Sequence, residues 1–258
     1  MTTSTLNICL VQSRLYWREP AQNRAQLEGM MRGHPGSDLY VLPETFTTGF
    51  LGDTAETGEG MEGETLRWLR ELSQELNAAI AGSAALDSEK GRRNRFVFVA
   101  PDGRVEMYDK RHLFSFAGED QRYVAGAQRV VFNYLGWRIC PQVCYDIRFP
   151  VWCRNRGDYD LLLVVANWPS PRVAAWDALL RARAIENQAW VVAVNRVGED
   201  GKGLSFPGHS AIYDPLGEAV IAPWEGEGCR SADIDLQRLR EVHEQFPFAR
   251  DADEFVLT

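Results

Sequence analysis

Leu161-Leu162-Leu163-Val164-Val165-Ala166 is apolar at every position and lies between Asp160 and Asn167. A strand with one wet face alternates apolar and polar residues, so this run describes a strand covered on both faces. Its neighbours fit that reading. Trp137–Val143 before it and Trp190–Asn195 after it are also strand-like, and Trp176, Leu179, Leu180, Arg183 and Ile185 between them follow helical spacing, with Arg183 the polar exception. Outward from this centre, strand-like runs recur at Leu6–Val11, Leu39–Leu42, Ala79–Ala85, Arg95–Ala100, Val105–Tyr108, Arg129–Tyr134, Ser210–Tyr213, Ala219–Ala222 and Ser231–Ile234. Pro101-Asp102-Gly103 and Asp214-Pro215-Leu216-Gly217 read as hairpin turns. Helical patterns run from Pro20 to about Arg32, through Leu66, Leu69, Leu72 and Leu76, and from Leu236 to about Phe246. Twelve strands exceed one comfortable sheet, which predicts an α/β fold of two stacked sheets with helices outside.

The chain has 258 residues, 45% hydrophobic and 25% charged, near the globular average. Such a length can bury ~73% of its unfolded surface, ample for a core. No Pro/Gly/Ser-rich linker divides it, which predicts a single domain over 1–258. The apolar runs reach six residues, too short for a membrane-spanning helix, and no signal-type hydrophobic stretch precedes Arg14. The net charge of -8 argues against nucleic acid as a partner. Five cysteines, an odd and sparse set, predict reduced thiols and a cytoplasmic location.

Two motifs fail on context. Gly58-Glu59-Gly60-Met61-Glu62-Gly63 has the dinucleotide-binding spacing, but a polar loop precedes it and its glutamates would repel a pyrophosphate. Cys140 and Cys144 have no second Cys/His pair to complete a metal site, so neither metal nor cofactor is expected. Cys144 itself ends the strand Trp137–Val143, and Tyr145-Asp146-Ile147-Arg148-Phe149-Pro150 reads as a turn into a helix. A nucleophile there would be exposed at a sheet edge beside backbone N–H donors, although a lone cysteine is more commonly core. Glu44 and Lys110 likewise follow strand-like runs, and each taken alone is more commonly a solvated strand-end residue.

Together they carry more. Pro43-Glu44, Asp109-Lys110-Arg111-His112-Leu113-Phe114 and Cys144-Tyr145-Asp146-Ile147-Arg148-Phe149-Pro150 occur in the order and sequence context of the nitrilase superfamily of carbon–nitrogen hydrolases, which this chain resembles over essentially its whole length. Glu119 matches that family's second glutamate. The resemblance implies a four-layer α-β-β-α sandwich, two stacked mixed sheets with helices outside, commonly a homodimer or higher homo-oligomer. Within the superfamily, Ala166-Asn167-Trp168-Pro169, Trp176-Asp177-Ala178-Leu179-Leu180 and Glu186-Asn187-Gln188-Ala189 are most similar to the omega-amidases, which hydrolyse the terminal amide of 2-oxoglutaramate and 2-oxosuccinamate.

That family chemistry casts Cys144 as nucleophile, Glu44 as general base, and Lys110 with the Tyr145 backbone N–H as oxyanion donors. Lys110 would favour the Cys144 thiolate by charge, and Glu119 would orient Lys110 and Glu44 or share a proton with the leaving amine. A 2-oxo acid needs a guanidinium for its carboxylate. Arg172 is the first candidate and Arg148 the second, with an ion pair to Asp146 or another acidic residue as the alternative for Arg148; Trp168 and Phe50 would wall the pocket. His209 matches a family position and is assigned no chemistry. Rival expectations are another amide of the same superfamily (a carbamoyl compound, a nitrile, deaminated glutathione), a Cys–His hydrolase, and a catalytically silent binding protein on this fold.

Overall fold

The computed structural model describes residues 5–51 and 59–256. The strands are β1 (Thr5–Gln12), β2 (Leu39–Val41), β3 (Ala79–Ser88), β4 (Gly91–Val99), β5 (Val105–Asp109), β6 (Phe132–Tyr134) and β7 (Trp137–Val143). They continue as β8 (Leu161–Ala166), β9 (Trp190–Asn195), β10 (Val197–Glu199), β11 (Ser205–Tyr213), β12 (Ala219–Glu225) and β13 (Gly228–Asp235). The helices are α1 (Pro20–Arg32), α2 (Glu64–Leu76), α3 (Pro150–Cys153), α4 (Val173–Asn187) and α5 (Leu236–Gln245). One sheet has the order β13-β1-β2-β3-β4-β5; the other runs β10-β11-β9-β8-β7-β6, with β12 paired to β11.

Three apolar clusters separate four layers. Alternate residues of β8 point to opposite faces. Leu161, Leu163 and Val165 meet Leu6, Ile8, Leu10, Phe96 and Phe98 between the sheets. Leu162, Val164 and Ala166 pack instead on Trp176, Leu180 and Ala184 of α4. On the far side, Cys9, Val11 and Ile80 pack under Leu27 and Met31 of α1 and Leu66, Leu69 and Leu72 of α2. The arrangement is an α-β-β-α sandwich. All six β8 residues are fully buried, and each large apolar side chain so placed contributes roughly 1.5–3 kcal/mol of burial.

Local chemistry sets the helix ends. Pro20 occupies the first turn of α1, where its missing N–H is no loss. Asp235 caps α5 by accepting Gln237 N–H at 2.8 Å. Glu59 Oε2 accepts Thr65 N–H at 2.8 Å, so a carboxylate holds the start of α2, where a bound phosphate would have to sit. Gly58, the first glycine of the dinucleotide-like motif, lies outside the described residues.

Several strand ends shift by three or four residues, and the structure departs most from the sequence reading at one edge. β10 is a thirteenth strand, and β11 starts at Ser205 instead of Ser210. Gly198, Pro207 and Gly208 interrupt the apolar pattern there, and pairing between the two polar runs supplies the order. The segment after Cys144 is a 3₁₀ turn, Cys144–Arg148, followed by the single-turn helix α3. No helix among the described residues is long and apolar enough to cross a membrane.

Candidate active site

β1, β2 and β3 are parallel, as are β7, β8 and β9. Two antiparallel pairings through β4 bring β5 back to the direction of β3. The residues that follow β2, β5, β7 and β8 therefore leave the strands at carboxyl ends, the usual place for a site in an α/β sheet. Those residues include Glu44, Lys110, Cys144 and Asn167. Glu119 begins a short 3₁₀ turn, entered through Gly118 at φ +74°, a backbone state that favours glycine.

The predicted charged residues meet out of water. Lys110 Nζ donates to Glu44 Oε1 at 2.8 Å and to Glu119 Oε2 at 2.9 Å, and all three side chains are at most 1% exposed. Burial pulls the Lys110 ammonium down, but the charges of Glu119 and Glu44 outweigh it and hold its pKa well above the usual lysine value. Burial pushes the Glu119 carboxyl up; Lys110 opposes that and Glu44 adds to it. Two further residues, not anticipated from the sequence, complete the cluster. Asn94 Nδ2 donates to Glu44 Oε1 at 2.8 Å and to Glu119 Oε1 at 3.0 Å. Asn167 donates its backbone N–H to Glu44 Oε2 at 2.8 Å. Their sequence signals are slight: one amide inside the strand β4, and the first polar residue after β8.

Cys144 is held in the left-handed region at φ +47°. For a non-glycine residue this costs about 1–2 kcal/mol, and surrounding bonds must hold it. Asp146, fully buried, accepts Val143 N–H at 3.1 Å and Tyr108 OH at 2.8 Å through Oδ2. Its Oδ1 accepts His112 N–H at 2.9 Å and lies 2.8 Å from His112 Nδ1. Arg183, the polar exception on α4, donates to Ile147 O from Nε at 2.9 Å and from Nη2 at 2.7 Å. The turn is thus pinned from both sides.

The thiol behaves otherwise than Lys110 alone would make it. Burial pushes the Cys144 pKa up, Glu44 pushes it further, and Lys110 opposes them; the net shift is well above the ordinary value. The resting group is a thiol with a carboxylate beside it, and its proton needs an acceptor. Cys9, Cys140 and Cys153 are buried and Cys229 is half-buried. Among the described residues no group of three or more His, Cys, Asp or Glu side chains is arranged to hold a metal.

Glu44, Lys110 and Cys144 line a cavity of about 140 Å³. Tyr145, Phe50 and Trp168 form part of its wall, and Arg148 and Arg172 reach it. Arg148 does not pair with Asp146, whose oxygens are taken by the donors above. Its guanidinium lies 4.7 Å from the Trp168 ring centroid, and that of Arg172 lies 5.2 Å from Phe114. Neither meets a carboxylate among the described residues. Tyr145 is the second residue of its 3₁₀ turn, a position whose N–H has no partner within the turn. His209 lies elsewhere, with Nδ1 3.0 Å from Asp177.

The carbon-nitrogen hydrolase family profile matches residues 7–244. The chain belongs to this family. Among carbon-nitrogen hydrolases it is 47% identical to the omega-amidase YafV of Escherichia coli (strain K12), over 98% of both chains. It is 33% identical to the 2-oxoglutaramate amidase of Bacillus subtilis (strain 168), over 93% of this chain and 95% of that one. Its fold superposes with a TM-score of 0.96 on a solved carbon-nitrogen hydrolase superfamily protein, XC1258 of Xanthomonas campestris, at 48% identity, covering 98% of this chain and 99% of that one. The sandwich is therefore that of the nitrilase superfamily, and the chain is an amidohydrolase by kinship.

Proposed function

We propose that this carbon-nitrogen hydrolase is an omega-amidase, releasing ammonia from the terminal amide of small 2-oxo acids such as 2-oxoglutaramate and 2-oxosuccinamate. One observation carries the reading. The buried Glu44–Lys110–Glu119 cluster adjoins the Cys144 thiol in a small cavity also reached by two arginines that have no carboxylate partner among the described residues. The names of its Escherichia coli and Bacillus subtilis relatives support the same substrate class.

In this mechanism Glu44 accepts the Cys144 proton as sulfur attacks the amide carbon. The carbonyl π pair moves onto oxygen, and Lys110 Nζ with the Tyr145 N–H holds the oxyanion; losing one such donor typically costs ~10²–10³ in rate. As the oxyanion collapses, the C–N bond breaks and protonated Glu44 returns its proton to the departing ammonia. Water then gives a proton to Glu44 and attacks the thioester. The C–S bond breaks, the product acid leaves, and Glu44 reprotonates the sulfur. Histidine takes no part. Arg172, with Arg148 in support, holds the substrate carboxylate, and Trp168 and Phe50 exclude water around the carbon chain.

We read the enzyme as one cytoplasmic domain acting as a homodimer. Five unpaired thiols support a reducing compartment. Val151 at 54% and Ile185 at 51% exposure, on helices beside the nucleophile's turn, support burial of that face by a second copy. The test of function is ammonia release across omega-amides, nitriles and carbamoyl amino acids, with Cys144→Ala as control. Turnover of a carbamoyl compound or nitrile in preference to 2-oxoglutaramate would overturn the substrate assignment.

A further inference from the structure

We propose that Asn94 is a positioning residue: it fills one oxygen of each glutamate and so makes Glu44 Oε2 the oxygen that carries the proton. This rests on Glu44 being the base, as argued above, and follows from counting lone pairs. Each carboxylate oxygen accepts two hydrogen bonds well. Glu44 Oε1 already accepts from Lys110 Nζ and from Asn94 Nδ2, both at 2.8 Å. Glu44 Oε2 accepts only the Asn167 N–H among the described residues, and Glu44 and Cys144 line the same cavity. The open lone pair on Oε2 is the one available to sulfur, ammonia and water in turn.

Glu119 has none to spare. Its Oε1 accepts Asn94 Nδ2 at 3.0 Å and its Oε2 accepts Phe114 N–H at 2.6 Å, and the two oxygens share one Lys110 Nζ hydrogen at 3.2 and 2.9 Å, which leaves the third ammonium hydrogen for the oxyanion. Of the two roles open to Glu119 from the sequence, this leaves orientation and removes proton sharing with the amine.

The orientation of the Asn94 amide is determined by its surroundings. The Thr45 N–H donates to Ser83 Oγ at 2.9 Å, so the Ser83 hydroxyl is free to donate to Asn94 Oδ1, also at 2.9 Å. The NH₂ end must then face the two carboxylates. Each of its hydrogens serves one glutamate, and a single side chain sets the spacing of base and orienting acid.

The experiment compares Asn94→Ala, Ser83→Ala and Glu44→Gln with the parent enzyme. The readouts are kcat, KM and the pH profile of kcat/KM, normalised to the folded fraction from circular dichroism. Asn94→Ala is expected to lower kcat about 10- to 100-fold, a proton-transfer effect, with KM within about threefold. It should also move the acid limb to higher pH, because the Asn94 N–H lost from Glu119 opposes the rise that burial gives that carboxyl. Ser83→Ala touches neither carboxylate and should move the limb the same way by less; it decides the matter if Asn94→Ala does not fold. A parental acid limb in these variants, or a loss that appears in KM alone, would overturn the role of Asn94. Full activity in Glu44→Gln would instead overturn the proposed mechanism, so the two failures are distinct.

Discussion

The backbone N–H of His112 donates to Asp146 Oδ1 at 2.9 Å, which ties the segment carrying Lys110 to the turn carrying Cys144. Asp146 also accepts Val143 N–H and Tyr108 OH, so one buried carboxylate sets the distance between ammonium and thiol. Asp146→Asn keeps the shape but turns an NH₂ group toward one pair of donors. Two buried donors then lose their acceptor, at about 1–3 kcal/mol each. Urea unfolding should show a loss of about 2–6 kcal/mol, and kcat should fall with it. An unchanged midpoint would show that this bracket carries no energy.

The raised thiol of Cys144 predicts a particular response to pH. Its main cause is burial, and the next is the Glu44 charge. In Glu44→Gln that charge is gone while Lys110 remains, so the thiol should titrate at lower pH than in the parent. Iodoacetamide should then modify Cys144 faster at a given pH in the variant, although turnover is lost. Slower or equal alkylation would mean that Glu44 does not oppose the thiolate. The same shift affects stability. The folded group keeps its proton above the ordinary value of 9.0, where the unfolded thiol loses it. Its contribution is therefore complete below that pH and declines as pH rises beyond it. Cys144→Ala should flatten the alkaline fall in unfolding free energy.

Arg172 and Arg148 separate by kinetics. A charge-assisted bond to a carboxylate contributes about 1.5–3 kcal/mol, so Arg172→Ala should raise KM for 2-oxoglutaramate about 10- to 100-fold. A neutral amide of similar length should be unaffected. Initial rates on both substrates check this. If the KM increase appears in Arg148→Ala and not in Arg172→Ala, the anchor is Arg148.

Gly126 is required by close approach to the lysine segment. It donates its N–H to Lys110 O at 2.8 Å, and a Cβ there would lie 2.1 Å from Asp109 O. That neighbour is backbone and has little room to move. Gly126→Ala should cost about 1–3 kcal/mol or more and displace Lys110, lowering kcat. Thermal unfolding together with the ammonia assay measures both. A parental Tm with full activity would show that the loop absorbs the methyl group.

Much of the fold is legible in the chain because periodicity is a local property. Leu161–Ala166 reads as a doubly covered strand from its own six residues, and the helix from Pro20 needs only its first-turn proline and its pattern. β10 is not legible, because Val197–Glu199 has no apolar repeat and exists as a strand only by pairing with Ser205–Pro207. The same division runs through the site. Glu44, Lys110 and Cys144 stand out because each follows a readable strand in a recognisable segment. Asn94 and Asn167 do not, since an amide shows its importance only through its partners.

The sequence by itself determined the layers, the strands that end at the site and the identity of its charged residues and thiol. These depend on side-chain type and short-range order. Tertiary structure decided which atoms meet. Asn94 reaches Glu44 across 50 residues of chain, and Asn167 reaches it across 123. Those bonds exist only once neighbouring strands pair and the two sheets stack. Tertiary structure also reversed the sign expected for the Cys144 thiol, because desolvation belongs to the folded surroundings and here outweighs the nearby lysine.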